Sequence, residues 1–272
     1  MIELGKEKRQ IIRPLCGQAD HVLVHGAVRG YMGRVWVPEL TNPSYCLIHL
    51  GDFAYLFGIC PKGEQAMELK AQLYRECGQD YITPSDERWA EWLEESFPGE
   101  YRVLSRYSMR RDRNHFSEEA LESYCRNLPA GIRLKKIDRR LYQTALKEEW
   151  SRDFCSNFET PEEFEQNGLG FVAMDGRKIV SGCSAYGISQ GMFEIQVETR
   201  KEYQRKGLAL ACSARFILTC LEQGIYPSWD AISLQSVGLA EKLGYIFDRE
   251  YKVYQLYDME SGLLMALSLI HI

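Results

Sequence analysis

A short basic segment in the second half of the chain has the residue types and spacing of an anion-binding turn. Its residues are Gln204, Arg205, Lys206, Gly207, Leu208 and Ala209. They lie between a predicted strand, Phe193–Thr199, and a helix predicted from about Lys206 to Glu222. The first N–H groups of a helix have no intrahelical acceptor, and the helix dipole favours negative charge there by about 0.3–1 kcal/mol. Glycine allows the main chain to approach an anion closely. The segment predicts either a phosphate-binding turn or an ordinary charged helix start, and spacing alone does not separate the two.

Three familiar phosphate-binding signatures are absent from the sequence. It contains neither GxxxxGK(S/T) nor GxGxxG, so it lacks the fingerprints of a nucleoside-triphosphate loop and of a dinucleotide-binding fold. The protein-kinase motifs are also missing. What remains is the pattern Q/R-x-x-G-x-A/G between a strand and a helix.

The elements around this segment follow a simple order. They are three strands, a helix, a strand, a helix and a final strand, predicted at 171–174, 178–186, 193–199, 206–222, 228–233, 236–243 and 245–254. Three antiparallel strands followed by alternating helices and strands predict an α/β (α+β) domain, with a mixed, mostly antiparallel sheet flanked by helices.

The first half of the chain predicts a smaller α+β domain. Apolar strands at Tyr45–Leu50 and Phe53–Ile59 surround the turn residues Gly51-Asp52. The segment 127–131, Asn-Leu-Pro-Ala-Gly, then breaks the pattern, and no internal repeat is visible in the sequence. We therefore predict an N-terminal domain, a second domain and an unassigned apolar tail, at 1–127, 128–257 and 258–272.

The composition excludes several classes of protein. The 33 Lys and Arg against 38 Asp and Glu give a net charge of −5 without a basic block, which argues against a nucleic-acid binder. No apolar run reaches the ~18–20 residues of a membrane-spanning helix, and the N-terminus lacks the apolar core of a secretory signal. Nine cysteines without a CxxC pair predict reduced thiols and a cytoplasmic protein. His21 and His25 have helical i, i+4 spacing but no evident third ligand, so we expect no metal site.

The basic loop and the strand before it resemble motif A of the GNAT superfamily of N-acetyltransferases, in which this loop binds the pyrophosphate of coenzyme A. The run from Trp229 to Tyr245, which ends in Glu-Lys-Leu-Gly-Tyr, is similar to motif B of that family. Two motifs in the right order are more specific than either one, and the resemblance covers residues 131 to about 257. The chain, including Val35–Gly58, also resembles the branch that contains zwittermicin A resistance-type acetyltransferases.

The resemblance implies acetyl-CoA as co-substrate and no metal. The main-chain groups of Val197 and Thr199 would bind the pantetheine arm as if it were another strand, and the loop amides would hold the pyrophosphate. Ser233 and Ser236 fall in the cofactor-binding part of motif B. The Val197 N–H is expected to face the thioester carbonyl, where one such donor stabilises developing negative charge by about 2.7–4 kcal/mol.

The resemblance also implies a general base. The nucleophile is an amine, and a lysine-like amine, with a pKa of about 10.4, is mostly protonated at neutral pH. Strand alternation places Glu194 and Glu198 on one face. Glu198 is the first candidate for the base because it lies nearer the cofactor end. A solvent-facing pair without a catalytic role is the alternative interpretation.

The general acid is less well defined. Many GNAT enzymes have a tyrosine in the motif B helix that protonates the departing thiolate, and that position aligns with Ala240. Tyr245, Tyr203, Ser236 or water would have to replace it. Core packing for Tyr245 and helix capping for Ser236 are the alternative roles.

Taken together, the resemblance implies an acetyl-CoA-dependent N-acetyltransferase that transfers the acetyl group directly to a small-molecule amine in a ternary complex. The N-terminal domain would select the acceptor or represent a diverged GNAT-like half, and its lack of a second Q-x-x-G-x-A predicts a single coenzyme A site. Two alternatives stay open: a non-catalytic acyl-CoA-binding sensor or regulatory module, which Ala240 favours, and a protein or peptide N-acetyltransferase. We expect no nucleic-acid or membrane partner. The sequence leaves the oligomeric state open, with a homodimer among the options.

Overall fold

Two units, each a sheet with helices, make up the protein. The structure is a computed structural model that describes residues 1–17 and 19–257. One unit comprises residues 1–106 together with 251–257, and the other comprises residues 107–250. The predicted α/β (α+β) class, with helices flanking a mixed sheet, is confirmed. The apolar tail predicted at 258–272 lies outside the described residues.

The first unit contains the first six strands and three α-helices. In chain order these elements are β1 (Ile2–Glu3), a 3₁₀ helix (Lys6–Ile12), α1 (Val22–Val28), β2 (Arg34–Val37), β3 (Tyr45–Leu50), β4 (Phe53–Gly58), α2 (Gly63–Glu76), β5 (Tyr81–Pro84), α3 (Glu87–Ser96) and β6 (Tyr101–Met109). The last three residues of β6 already lie in the second unit.

The second unit contains the remaining elements. They are a short 3₁₀ helix (Arg113–His115), α4 (Glu118–Arg126), β7 (Ile132–Lys136), α5 (Arg139–Ala145), α6 (Glu149–Arg152), α7 (Pro161–Asn167), β8 (Gly170–Asp175), β9 (Lys178–Ser189), β10 (Met192–Thr199), a 3₁₀ turn (Lys201–Tyr203), α8 (Leu208–Glu222), β11 (Tyr226–Ser228), β12 (Asp230–Ala231), α9 (Leu234–Leu243) and β13 (Phe247–Leu256). The end of β13, from Tyr251, lies in the first unit. Among the described residues, no helix combines the length and apolarity needed to cross a bilayer.

The sheet of the first unit has the strand order β1-β2-β3-β4-β5. Neighbouring strands are antiparallel except for β4 and β5, which run parallel with residues 53–56 opposite 81–84. Gly51, with a φ of 55°, turns the chain between β3 and β4, as the Gly51-Asp52 signal predicts. On the other side of β5, Tyr254 of β13 pairs with Ile82.

The sheet of the second unit has the order β7-β8-β9-β10-β11. Its strands are antiparallel except for β10 and β11, which are parallel. The strand expected at 228–233 is divided into β11 and β12, and β12 pairs with the end of β6 through Asp230 and Ser108. The long helix α8 packs on this sheet. Most of its apolar residues, including Phe216 and Ile217, are buried.

The division between the units lies earlier than the sequence suggests. The segment 127–131 does separate α4 from β7, but α4 packs against α8: Leu121 and Cys125 belong to the same buried cluster as Ala214 and Ile217. The break in pattern therefore marks a connection inside the second unit. The boundary predicted at 127 is corrected to the step from Arg106 to Tyr107, and the predicted end at 257 to Glu250.

The two units repeat one order of elements. Each has a strand, helical segments, three antiparallel strands, a helix, a parallel strand, a helix and a last strand, from β1 to β6 and from β7 to β13. The sequence does not reveal this repeat because a fold depends on the pattern of apolar residues, which many different side chains satisfy.

Candidate functional site

The second unit has an open cavity of about 630 Å³. One wall is the edge of β10 from Val197 to Thr199. The loop 203–207 and the first turn of α8 form another, and Trp229 with residues on α9 lies opposite. The cavity therefore joins the basic loop to the segment from Trp229 to Tyr245, the two parts of the chain that the sequence singled out.

The strand β10 leaves its parallel neighbour part-way along its length. It pairs with β9 throughout, but with β11 only over its first three residues. The amide of Arg200 donates to the Val180 carbonyl of β9 at 3.0 Å. Successive residues of a strand direct their N–H and C=O groups to opposite sides. Thr199 and Val197 therefore turn these groups away from β9, toward the cavity. In the part of the chain that the structure describes, no strand pairs with either residue on this side.

The loop that follows β10 leads into the N-terminus of α8. Gly207 is the N-cap of α8, and no side chain in the described part of the chain caps the first turn. Leu208 and Ala209 line the cavity, so N–H groups of this turn are available to an anion there. Arg205 and Gly207 both have positive φ, 62° and 77°. A Cβ at position 207 would meet no atom within 4 Å, so the backbone angle rather than crowding favours glycine.

Charged side chains of both signs surround Tyr203 at this end of the cavity. The Tyr203 hydroxyl donates to Asp175 Oδ2 at 2.7 Å, and the ammonium groups of Lys178 and Lys206 lie 5.5 and 4.7 Å from its ring centre. The hydrogen bond to Asp175 raises the pKa of Tyr203, because the carboxylate stabilises the protonated phenol. Arg205 makes no ion pair with any residue that the structure describes, which leaves its charge for a ligand. Gln204 Nε2 donates to the Thr199 carbonyl at 3.4 Å.

The structure separates the two strand carboxylates. Glu198 lines the cavity, and its carboxylate accepts the Thr199 amide at 2.9 Å. Glu194 is not part of the cavity lining. It lies where β10 is paired on both sides, opposite Gly187 and Ser228. Only Glu198 is therefore placed to act on a molecule in the cavity.

Two serines and a tryptophan form the wall at the start of α9. Ser233 is the N-cap of α9, and its hydroxyl accepts the Ser236 amide at 3.2 Å. Helix capping thus belongs to Ser233, and the capping role considered for Ser236 is wrong. Ser236 instead accepts a hydrogen bond from Trp229 Nε1 at 3.1 Å, and all three residues line the cavity.

Tyr245 does not reach the cavity. Its side chain is 4% exposed, and its hydroxyl donates to the Pro227 carbonyl at 2.7 Å. Burial raises its pKa well above the usual range. A hydroxyl held in this way cannot protonate a thiolate in the cavity, so the predicted catalytic role is corrected to core packing. Ala240 is also fully buried.

Sequence reasoning assigned no role to several residues that line the cavity. Leu210, Trp229, Ile232 and Gly238 are four of them, and Gln235, Leu239 and Lys242 on α9 are the other three. Their spacing, i, i+4 and i+7, places the last three on one helix face, a signal that was available in the sequence. Within residues 1–17 and 19–257, no group of three or more His, Cys, Asp or Glu side chains could hold a metal ion.

Two buried tryptophans stand at the corresponding helix positions of the first unit. Like α9, α3 is capped by the residue before it, and Asp86 accepts the amide of the third helical residue, which is Trp89. Trp89 and Trp92 therefore occupy the positions of Ser236 and Leu239. Their indole N–H groups donate to the carbonyls of Gly58 and Pro61 in and after β4, each at 3.0 Å.

Comparison with known proteins finds one matching family and a curated relative. Residues 13–254 match the family described as GNAT acetyltransferase. The uncharacterized N-acetyltransferase YdfB of Bacillus subtilis (strain 168) is 34% identical over 131 residues, which are 47% of this chain and 49% of YdfB. The match thus spans about half the length of that curated relative.

Solved structures extend the likeness to most of the chain. The GCN5-related N-acetyltransferase-like protein from Streptococcus suis 89/1591 is 34% identical, with a TM-score of 0.84 over 93% of this chain and 100% of the other. A tandem GNAT protein from the clavulanic acid biosynthesis pathway shares the fold at 12% identity, with a TM-score of 0.53 over 82% and 81% of the two chains.

The order of elements, the parting of β10 from β11 and these matches define one class of protein. The chain belongs to the GNAT acetyltransferase family. The match covers both units, and therefore includes the half of the chain whose sequence carries no recognisable motif.

Proposed function

We propose that the protein is an acetyl-CoA-dependent N-acetyltransferase acting on a small-molecule amine. One observation carries the proposal: the unpaired edge of β10 leads directly to the uncapped N-terminus of α8 along a single cavity. Coenzyme A has a peptide-like pantetheine arm followed by a diphosphate, which matches this order of binding groups.

The residues present fit coenzyme A. The amide groups of the pantetheine arm would pair with the N–H and C=O groups of Val197 and Thr199, as a strand pairs with its neighbour. The diphosphate would be held by the amides from Gln204 to Ala209, with Arg205 adding charge. Each such charge-assisted hydrogen bond contributes about 1.5–3 kcal/mol.

Glu198 is the proposed general base. Its carboxylate accepts the Thr199 amide, one of the groups that the pantetheine arm would need. Binding the arm at that N–H therefore releases the carboxylate, which is then available to accept a proton from the attacking amine, directly or through water. The Val197 N–H would stabilise the negative charge that develops on the thioester oxygen.

The decisive assay measures release of free thiol from acetyl-CoA with a panel of amines. Glu198→Gln keeps an oxygen that can accept the Thr199 amide but cannot take a proton, so we expect a rate about 10²–10⁴-fold lower at neutral pH. Activity should recover toward pH 10, where a lysine-like amine is neutral by itself. Glu194→Gln is the matched control on the same strand. If only Glu194→Gln loses activity, Glu194 rather than Glu198 is the general base.

A non-catalytic acyl-CoA sensor is the second candidate. The buried Ala240, at the position where many family members have a tyrosine acid, is the observation that favours it. Saturable binding of coenzyme A without thiol release for any amine would support the sensor. The small-molecule acceptor rests on the resemblance to the zwittermicin A resistance-type branch, and acetylation of basic peptides in the same panel would instead support a protein acetyltransferase.

A further inference from the structure

A buried indole fixes the direction of one hydroxyl in the cavity. Trp229 Nε1 lies 3.1 Å from Ser236 Oγ, and an indole nitrogen can only donate, so the serine oxygen is the acceptor. The hydroxyl hydrogen of Ser236 must therefore point elsewhere. It finds no acceptor in residues 1–17 or 19–257, and Ser236 lines the cavity, so this hydrogen is available to a ligand there.

The same pair lines the cavity together with Val197 and Glu198. Trp229 follows β11, whose last residue, Ser228, is opposite Glu194 at the point where β10 and β11 part. If the loop holds the diphosphate and the Val197 N–H faces the thioester carbonyl, the sulfur lies in the cavity that Trp229 and Ser236 also line.

We propose that Ser236 donates a hydrogen bond to the departing sulfur of coenzyme A, and that Trp229 is the positioning residue that orients the hydroxyl. The inference rests on the proposed acetyltransferase function. It supplies a donor to the sulfur in a chain whose tyrosine position is the buried Ala240.

The chemical step balances without an additional reactant. The amine nitrogen forms a bond to the carbonyl carbon, Glu198 accepts the amine proton, and the carbon–sulfur bond breaks with its electron pair going to sulfur. A serine hydroxyl is a much weaker acid than a thiol, so Ser236 keeps its proton and stabilises the thiolate by hydrogen bonding alone. Water then protonates the thiolate.

The test titrates the thiol of coenzyme A bound to the full-length protein, by ultraviolet absorbance of the thiolate. A donor to sulfur lowers the thiol pKa, so Ser236→Ala should raise the bound thiol pKa by about 0.7–1, a five- to tenfold change in its acid dissociation constant. The acetyl-transfer kcat should fall by a similar factor, with the KM for acetyl-CoA changed less than twofold. Ser236→Thr keeps the hydroxyl and should restore both values.

Trp229→Phe provides a second variant, because it keeps a ring but removes the indole donor. We expect an intermediate thiol pKa as the hydroxyl loses its fixed direction. Equal thiol pKa values in the wild type and Ser236→Ala, with coenzyme A bound to both, would overturn the inference and leave the proposed function intact. Failure of the wild type to bind coenzyme A would overturn the proposed function itself.

Discussion

Gly207 offers a direct test of the anion-binding turn. Its φ of 77° lies in the left-handed region, where a residue with a Cβ costs about 1–2 kcal/mol. A Cβ there meets nothing within 4 Å, so Gly207→Ala should fold with a loss of stability of that size and no clash. Relaxing the backbone to relieve the strain would turn the amides at the start of α8 away from the cavity.

The effect on binding follows from those amides. Loss of one charge-assisted hydrogen bond to the diphosphate corresponds to about 1.5–3 kcal/mol, so Gly207→Ala should weaken coenzyme A binding by about 10- to 100-fold. Gly207→Val should weaken it further, since β-branched side chains tolerate positive φ poorly. Isothermal titration calorimetry measures the affinity, and urea unfolding measures the stability.

Gly224 provides a matched control at the other end of the same helix. Its φ is 71° and a Cβ there also meets nothing within 4 Å, but it is not among the residues that line the cavity. Gly224→Ala should therefore lose similar stability without losing affinity. Equal coenzyme A affinity in the two alanine variants would refute the assignment of the turn as the diphosphate site.

Two further predictions concern buried aromatic side chains. Calorimetric titration should find about one coenzyme A per chain, because the bulky Trp89 and Trp92 stand in the first unit where Ser236 and Leu239 stand in the second; two sites per chain would contradict that interpretation. Tyr245→Phe should leave kcat within about twofold of the wild type and lower stability at pH 8 by about 1 kcal/mol, through the lost bond to Pro227. Because burial raises the folded-state pKa of Tyr245 above its unfolded value near 10, the unfolded state ionises first and the wild type loses stability as pH rises further. Urea unfolding at pH 8 and pH 11 should therefore show the destabilisation of Tyr245→Phe shrinking, and an undiminished difference would contradict this.

The sequence predicted the part of the site that depends on local chain geometry. A glycine after two basic residues, between a strand and an apolar helix, predicted either a phosphate-binding turn or a charged helix start at 204–209, and the resemblance to motif A favoured the first. On α9 the sequence predicted Ser236 through the resemblance to motif B, but Gln235, Leu239 and Lys242 were missed because their role depends on their neighbours. Trp229 and Ser236 are seven residues apart, and their hydrogen bond exists only when β11, β12 and α9 are assembled.

Dependence on packing also explains why the predictions for Tyr245 and for the boundary at 127 were wrong. Tyr245 has a residue type suited to acid catalysis, but whether its hydroxyl faces a ligand or the Pro227 carbonyl depends on packing that no spacing reveals. The boundary at 127 was misplaced because proline and glycine end a helix equally well inside a unit and between units. The burial of Leu121 and Cys125 against α8 assigns α4 to the second unit.

The two strands that pass between the units, β6 and β13, determine how the chain can be cut. Each begins in one unit and ends in the other, so no single peptide bond separates the two sets of elements. An expression fragment starting at residue 128 would lose Tyr107–Met109 and α4, and with them part of the buried cluster around Ile217. Truncation should thus yield aggregated material rather than an isolated second unit.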